Sequence, residues 1–263
     1  MKVRAGGIDI GYDDVGDGTP LVLLHAFPLN RRMWAPQLRG LVGCARCIVP
    51  DIRGFGESTA APPYSMDRYA DDTVALLDAL QVDRAVIGGL SMGGYVALAV
   101  WRRHRDRVAG LLLADTRADA DDAAARERRR QFIRVAHERG GPAVGDLILR
   151  QLVGPTTRAK QPQVVAEVRA ILATAGAEGV AGAASAMMER ADSTGMLETI
   201  DVPTLIVLGA EDDVTPLACA TRMHEAIAGS RLEEIPAAGH LSSLERPAAF
   251  NRVVSELLSE VAA

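Results

Sequence analysis

The sequence predicts an α/β chain built on a mostly parallel sheet with helices on both faces. Short apolar, β-branched runs alternate with longer amphipathic segments. The central runs are apolar throughout, as strands buried on both faces must be. The chain has 263 residues, 48% hydrophobic and 24% charged, which suits one large buried core.

Ile8 to Val15 alternates and reads as an early strand, and Leu21 to Leu24 as a buried one. Arg31 to Leu41 has a helical pattern. Arg46 to Val49 is a strand that ends at Pro50-Asp51. Asp67 to Leu80 is an amphipathic helix, with Val74, Leu77 and Leu80 at helical spacing and Ala70 extending the face. Arg84 to Gly88 is a strand, Met92 to His104 a helix, and Val108 to Ala114 a strand. After a gap come a strand at Pro203 to Leu208, a helix at Pro216 to Ala228, a strand at Arg231 to Ile235 and a closing helix at Pro247 to Val261.

The gap is residues 116–199. It is rich in Ala, Arg and Glu and has no convincing strand. Gly140-Gly141-Pro142, Gly154-Pro155 and Gly176 punctuate it into about four helices. Because it lies between two sheet strands, it reads as an insertion. The expected organisation is a core of 1–115 and 200–263 with a helical cap at 116–199.

A net charge of −5 gives no basic footprint for nucleic acid, and 4% aromatics leave few stacking platforms. The first residues, MKVRAGGIDIGYDD, lack the apolar run of a signal peptide, and no stretch approaches membrane-span length. The expectation is a cytoplasmic protein. Cys44 and Cys47 form a C-x-x-C, but it precedes a strand rather than opening a helix. It reads as two small apolar residues, and no second pair completes a zinc site.

The stretch Ile87 to Ala97 reads IGGLSMGGYVA, with four glycines around one serine. Glycine costs backbone entropy, so such a cluster needs a reason. A strand runs into Gly89-Leu90-Ser91-Met92-Gly93 and a helix follows, which is G-x-S-x-G in strand–turn–helix context. A sharp turn there strains Ser91 and lifts its hydroxyl clear of the sheet. Side chains at 89 and 93 would collide. The Met92 N–H, at the helix start, then points toward the serine oxygen and can stabilise an oxyanion. A plain glycine-rich turn would explain the pentapeptide alone.

A serine nucleophile needs a base, and the base needs an orienting acid. His240 sits in a Gly-flanked loop after the last strand, where ligands bind in open α/β sheets. Asp212 lies in the loop after the strand ending at Leu208. Asp213 beside it, and Asp115 at the end of an earlier strand, are alternative acids. The order Ser91, Asp212, His240 is that of one known triad architecture. His25 reads as a loop organiser, His104, His137 and His224 as surface residues, and Trp34 as core. The run Arg126 to Arg130 reads as a solvated helix face with an acidic partner nearby, a substrate-carboxylate role being the alternative.

On these residues the chain resembles the α/β-hydrolase superfamily over nearly its whole length. The family's His-Gly-x-Pro appears as His25-Ala26-Phe27-Pro28, and its Asp-x-Arg-Gly-x-Gly-x-Ser as Asp51 to Ser58. Gly209, Asp212 and Pro216 fit its G-x-x-D-x-x-x-P signature, and Gly239-His240 its Gly-His. The resemblance implies an eight-stranded sheet with the cap after strand six. It implies a catalytic Ser91, Asp212 and His240, with oxyanion donors at the N–H groups of Phe27 and Met92. Ala26 departs from the usual glycine and puts the Phe27 donor in question.

The implied activity is hydrolysis of a small carboxylic ester or lactone, with no metal or cofactor, by a monomer or homodimer. Carbon–carbon bond hydrolases and cofactor-free perhydrolases share the triad. Non-catalytic receptors on this fold are a further alternative, favoured only by an incomplete triad. Segments 192–203 and 239–251 resemble 3-oxoadipate enol-lactonase-like hydrolases. Such an enzyme should turn a cation toward its anionic substrate, and Arg128, Arg134 and Arg150 are available for it.

Overall fold

The computed structural model describes residues 1–262. Strands β1 (Lys2–Ala5), β2 (Ile8–Val15), β3 (Thr19–Leu24), β4 (Ala45–Pro50), β5 (Ala85–Leu90), β6 (Val108–Ala114), β7 (Thr204–Gly209) and β8 (Arg231–Ile235) form one eight-stranded sheet. Its order is β1-β2-β4-β3-β5-β6-β7-β8. The β1–β2 and β2–β4 pairs are antiparallel, and every later pair is parallel. Strands β5 and β7 are buried along their entire length, which explains their unbroken apolar runs.

Helices α1 (Ala35–Leu41), α2 (Met66–Ala79) and α3 (Met92–His104) connect the first strands. Between β6 and β7 lie α4 (Ala123–Arg139), α5 (Gly141–Leu152), α6 (Pro155–Lys160), α7 (Pro162–Leu172) and α8 (Ala177–Met188). Then come α9 (Leu217–Ala226), α10 (Ser242–Glu245) and α11 (Pro247–Ala262). Helix α2 packs on α3, and α1 on α11, flanking the sheet, while α4 packs on α5 and α8.

The departures from expectation are local. Strand β1 was not anticipated: it has four residues, three of them not buried, and its Lys-Val-Arg-Ala alternation is too short to mark a strand. The segment between β6 and β7 has five α-helices rather than about four. The added one, α6, has six residues, too few to show a period. Arg31 to Leu41 divides into a 3-10 turn at Arg31–Trp34, capped by the Asn30 side chain, and then α1. Strand β5 runs two residues further than expected, through Gly89 to Leu90, directly before Ser91.

Two sequence motifs are structural. Cys44 and Cys47 are both free, with Cys44 exposed and Cys47 buried. Burial, and then the neighbouring Cys44, push the Cys47 thiol up to about 12, so it is inert rather than redox-active. Trp34 is fully buried and packs against Phe250 at 6.0 Å between ring centroids.

The topology places the site. Strands β4 and β5 lie on opposite sides of β3, so the direction of winding reverses between β3 and β5. Leu24 pairs with Gly89, and Leu90 with Ala114, so the C-terminal ends of β3, β5 and β6 fall at one edge. Ligands bind in the crevice at such a reversal. The loop at His25 to Phe27, Ser91 and Asp115 all leave the sheet there. Among the described residues no helix is long and apolar enough to cross a membrane.

Candidate active site

Ser91 follows β5 with φ 57° and ψ −112°, a conformation that L residues rarely hold. The surroundings over-determine it. The Ser91 N–H donates to the Ala114 carbonyl at 2.9 Å, and the Thr116 hydroxyl donates to the Ser91 carbonyl at 2.8 Å. A Cβ on Gly89 would lie 2.1 Å from the Gly93 carbonyl carbon, and one on Gly93 2.1 Å from the Leu24 oxygen. No rotamer change relieves a clash with backbone, so both positions require glycine. The strain at Ser91 is of the kind that functional sites store.

The Ser91 Oγ lies 2.8 Å from His240 Nε2, and His240 Nδ1 lies 2.8 Å from Asp212 Oδ2. The shared geometry has Ser91 donating to Nε2, and Nδ1–H donating to the carboxylate. Asp212 also accepts from the Val214 N–H at 2.7 Å, the Thr215 N–H at 3.1 Å and the Thr215 hydroxyl. All three carboxylate partners hold it in one orientation. Asp213 is exposed, and the bond to His240 comes from Asp212. Asp115 is buried, but its bonds go to the Gly209 N–H at 2.8 Å and the Ser242 hydroxyl, and not to His240.

The electrostatics separate the two buried acids. Burial raises Asp212, but the His240 charge and the bonds from His240 and Thr215 outweigh it and hold the carboxyl below its ordinary value. Burial, followed by the repulsion of Asp212, pushes Asp115 well above the carboxylate range. Burial would lower His240, yet the charge of Asp212 and the bond to it prevail and raise the imidazole. The charged form is thus favoured at the acid that meets the imidazole and disfavoured at the one behind it.

The Phe27 and Met92 N–H groups have no protein acceptor among the described residues. Both residues are buried beside Ser91. Ala26 avoids positive φ, so the extra methyl costs no backbone strain there, and its N–H reaches Met33 Sδ at 3.2 Å. His25 is fully buried. It accepts the Ile52 N–H on Nε2 at 2.9 Å and donates from Nδ1 to the Ala26 carbonyl at 3.0 Å. It therefore ties the loop after β3 to the loop after β4. Burial lowers its pKa, so it stays neutral.

Above Ser91 lies a cleft. Phe27, Phe132, Ile148, Leu152, Met187 and Val214 form its apolar wall, and Phe27 stacks on Phe132 at 5.9 Å. Its charged lining is Arg117, Arg128, Arg129 and Asp121. Of Arg128, Arg134 and Arg150 only Arg128 lines the cleft, and of the run Arg126 to Arg130 only Arg128 and Arg129 do. Arg134 pairs with Glu127 at 3.3 Å, and the side chain of Arg150 lies outside the lining.

The sequence reading missed the residues that tie this cleft to the loops below it. Glu245, 1% exposed, accepts the Gly239 N–H and the Gly154 N–H at 3.0 Å and the Leu241 N–H at 3.3 Å. Glu211, beside Asp212, accepts the Thr156 N–H at 2.9 Å. The first turn of α6 is thereby fastened to both the Asp212 loop and the His240 loop. The buried Glu245 carboxylate, saturated by three N–H donors, makes the more rigid of the two junctions.

The family model described as the alpha/beta hydrolase fold matches residues 19–247. A 3-oxoadipate enol-lactonase of Acinetobacter baylyi is 32% identical over 259 residues, which is 97% of this chain and 95% of that protein. The structure of a thermophilic esterase from Thermogutta terrifontis superposes with a TM-score of 0.96 at 38% identity, covering 100% of this chain and 99% of that one. The enol-lactonase from Burkholderia xenovorans superposes with a TM-score of 0.92 at 30% identity, covering 99% and 100%. A 2-hydroxymuconate semialdehyde hydrolase from Pseudomonas is 28% identical over 276 residues, 98% of this chain and 93% of that protein. The chain belongs to the α/β-hydrolase fold family.

Proposed function

We propose that the protein is a serine hydrolase of small carboxylic esters or lactones. The observation that carries this is the unbroken line from Ser91 through His240 to Asp212, with 2.8 Å at each step, beneath a cleft with two unpaired N–H groups. In this reading His240 takes the Ser91 proton as the oxygen attacks the carbonyl. Asp212 holds the imidazole tautomer and stabilises its charged form. The N–H groups of Phe27 and Met92 hold the oxyanion, helped by the start of α3. His240 returns the proton to the leaving alkoxide. The acyl group on Ser91 is then released by water that His240 activates. The apolar wall and the helices above it exclude bulk water and shape the acyl site. The similarity to an esterase and to enol-lactonases at 30–38% identity supports ester chemistry at this site.

Initial rates of p-nitrophenyl acetate hydrolysis test the proposal. Turnover is expected, with kcat/KM rising with pH as His240 loses its proton. Because Asp212 raises that imidazole, half-maximal kcat/KM should lie above the ordinary histidine value of about 6.5. A rate independent of pH between 5 and 9 (roughly two units either side of an imidazole midpoint) would contradict a histidine base. No turnover of this or any simple ester would move the reading to carbon–carbon hydrolysis by the same residues.

A further inference from the structure

We propose that Glu245 is a positioning residue for the general base. Its carboxylate clamps the backbone on both sides of His240 and fastens that loop to the cap, so the imidazole stays in line between Ser91 and Asp212. This rests on the hydrolase reading and adds to it a residue that bonds none of the triad side chains.

The clamp follows from local geometry. His240 stands in the loop after β8, and the single turn of α10 follows almost at once. That turn closes through the Leu244 and Glu245 N–H groups, both donating to the Leu241 carbonyl at 2.9 Å. It brings the Glu245 side chain back to the start of its own turn, where N–H groups have no intrahelical acceptor. One oxygen, Oε1, accepts the Gly239 N–H at 3.0 Å and the Leu241 N–H at 3.3 Å. These are the two residues that flank His240. The other oxygen, Oε2, accepts the Gly154 N–H at 3.0 Å, from the residue that opens α6.

The two loops meet closely at this point. A Cβ on Gly154 would lie 2.7 Å from the Gly239 nitrogen. Gly154, Gly239, Leu241 and Glu245 are all buried. The bonds of the His240 ring to Ser91 and Asp212 fix its tilt, but they do not fix the main chain that carries it. Three N–H bonds to one buried carboxylate do. A second junction, from Thr156 to Glu211, holds the same turn of α6 without touching the His240 loop.

Glu245→Gln tests the clamp. It keeps the volume but replaces one acceptor oxygen by an N–H donor. Whichever way the amide turns, it opposes at least one of the three backbone N–H groups. For p-nitrophenyl acetate, kcat per site that diethyl p-nitrophenyl phosphate can label should fall about 10- to 100-fold, the cost of an ångström-scale misplacement. KM should stay within about threefold, since ground-state binding is untouched. Thr156→Val removes one bond from the same turn of α6 and should leave kcat unchanged, whatever it does to Tm.

The proton between His240 Nδ1 and Asp212 gives a second readout. It should appear as a downfield proton NMR resonance, identified by its loss in His240→Gln. The resonance should persist in Thr156→Val and be lost or moved upfield in Glu245→Gln. A Glu245→Gln protein with lower Tm but wild-type kcat and an unmoved resonance would overturn the proposal while the hydrolase reading stands. If no ester is hydrolysed, the hydrolase reading fails instead and the resonance alone decides. Unmoved by Glu245→Gln, or missing from the wild type, it refutes the clamp. Should Glu245→Gln not fold, Glu245→Asp takes its place with the same expected outcomes, because its oxygens sit on a stem one methylene shorter and cannot reach both loops.

Discussion

Ser91→Ala should lower kcat for p-nitrophenyl acetate by about 10⁴- to 10⁶-fold, the loss seen when the nucleophile of a cooperating triad is removed. The effect is large because the other groups cannot act alone. Without the hydroxyl, His240 has no proton to take, and the Phe27 and Met92 N–H groups face an oxyanion that never forms on the protein. The fold should survive. The Ser91 backbone is held by Ala114 and Thr116 through main-chain atoms, so alanine keeps both bonds. A circular dichroism melt within a few degrees of wild type, beside abolished turnover, is the expected pair of results. A variant that retains more than about a tenth of the wild-type rate would exclude Ser91 as nucleophile.

Asp212→Asn and Asp115→Asn make the second test, since both acids are buried within reach of His240 electrostatically. Asp212 accepts from Nδ1–H, so an amide there presents either a misplaced donor or a flipped imidazole tautomer. A loss of about 10⁴-fold in kcat is expected. The sign of the pH effect follows as well. With the Asp212 charge removed, burial is left to lower His240, so any residual activity should show its acid limb at lower pH than wild type. Asp115 is different. Burial, followed by the repulsion of Asp212, disfavours its charged form, so asparagine costs less there than at Asp212. Its loss should stay within about tenfold and come from the bonds to Gly209 and Ser242 rather than from the base. If the two variants behaved in reverse, the orienting acid would be Asp115.

The strand–helix alternation made the sheet legible, because strands buried on both faces must be continuous apolar runs. The G-x-S-x-G turn was legible for a related reason. Glycines at 89 and 93 are forced by backbone contact distances, which spacing alone encodes. The residues that sequence reading missed depend instead on which distant segments meet. Glu245 meets Gly154 across 91 positions, and Ser242 meets Asp115 across 127. Thr215 was closer to hand. It lies three residues past Asp212 and bonds it, yet a threonine in a polar loop carries no periodicity to mark it.

The cleft was the least legible part. Arg128, Arg134 and Arg150 are indistinguishable by composition, and only the roll of α4 and α5 about their axes decides which one faces Ser91. Arg117 was overlooked because it lies in the loop three residues past β6, where no period marks its direction. Strand β1 and helix α6 escaped because four and six residues are too few for a period to emerge.

The central claim is that Ser91 attacks the substrate and carries the acyl group. Its most direct test is mass spectrometry of the protein after treatment with diethyl p-nitrophenyl phosphate, a slowly released analogue of an activated ester. We expect one diethylphosphoryl group per chain, mapped to the peptide containing Ser91. Labelling should be absent in Ser91→Ala and should follow the same pH limb as ester turnover. An unlabelled wild-type protein, or a label on any other residue, would contradict the account.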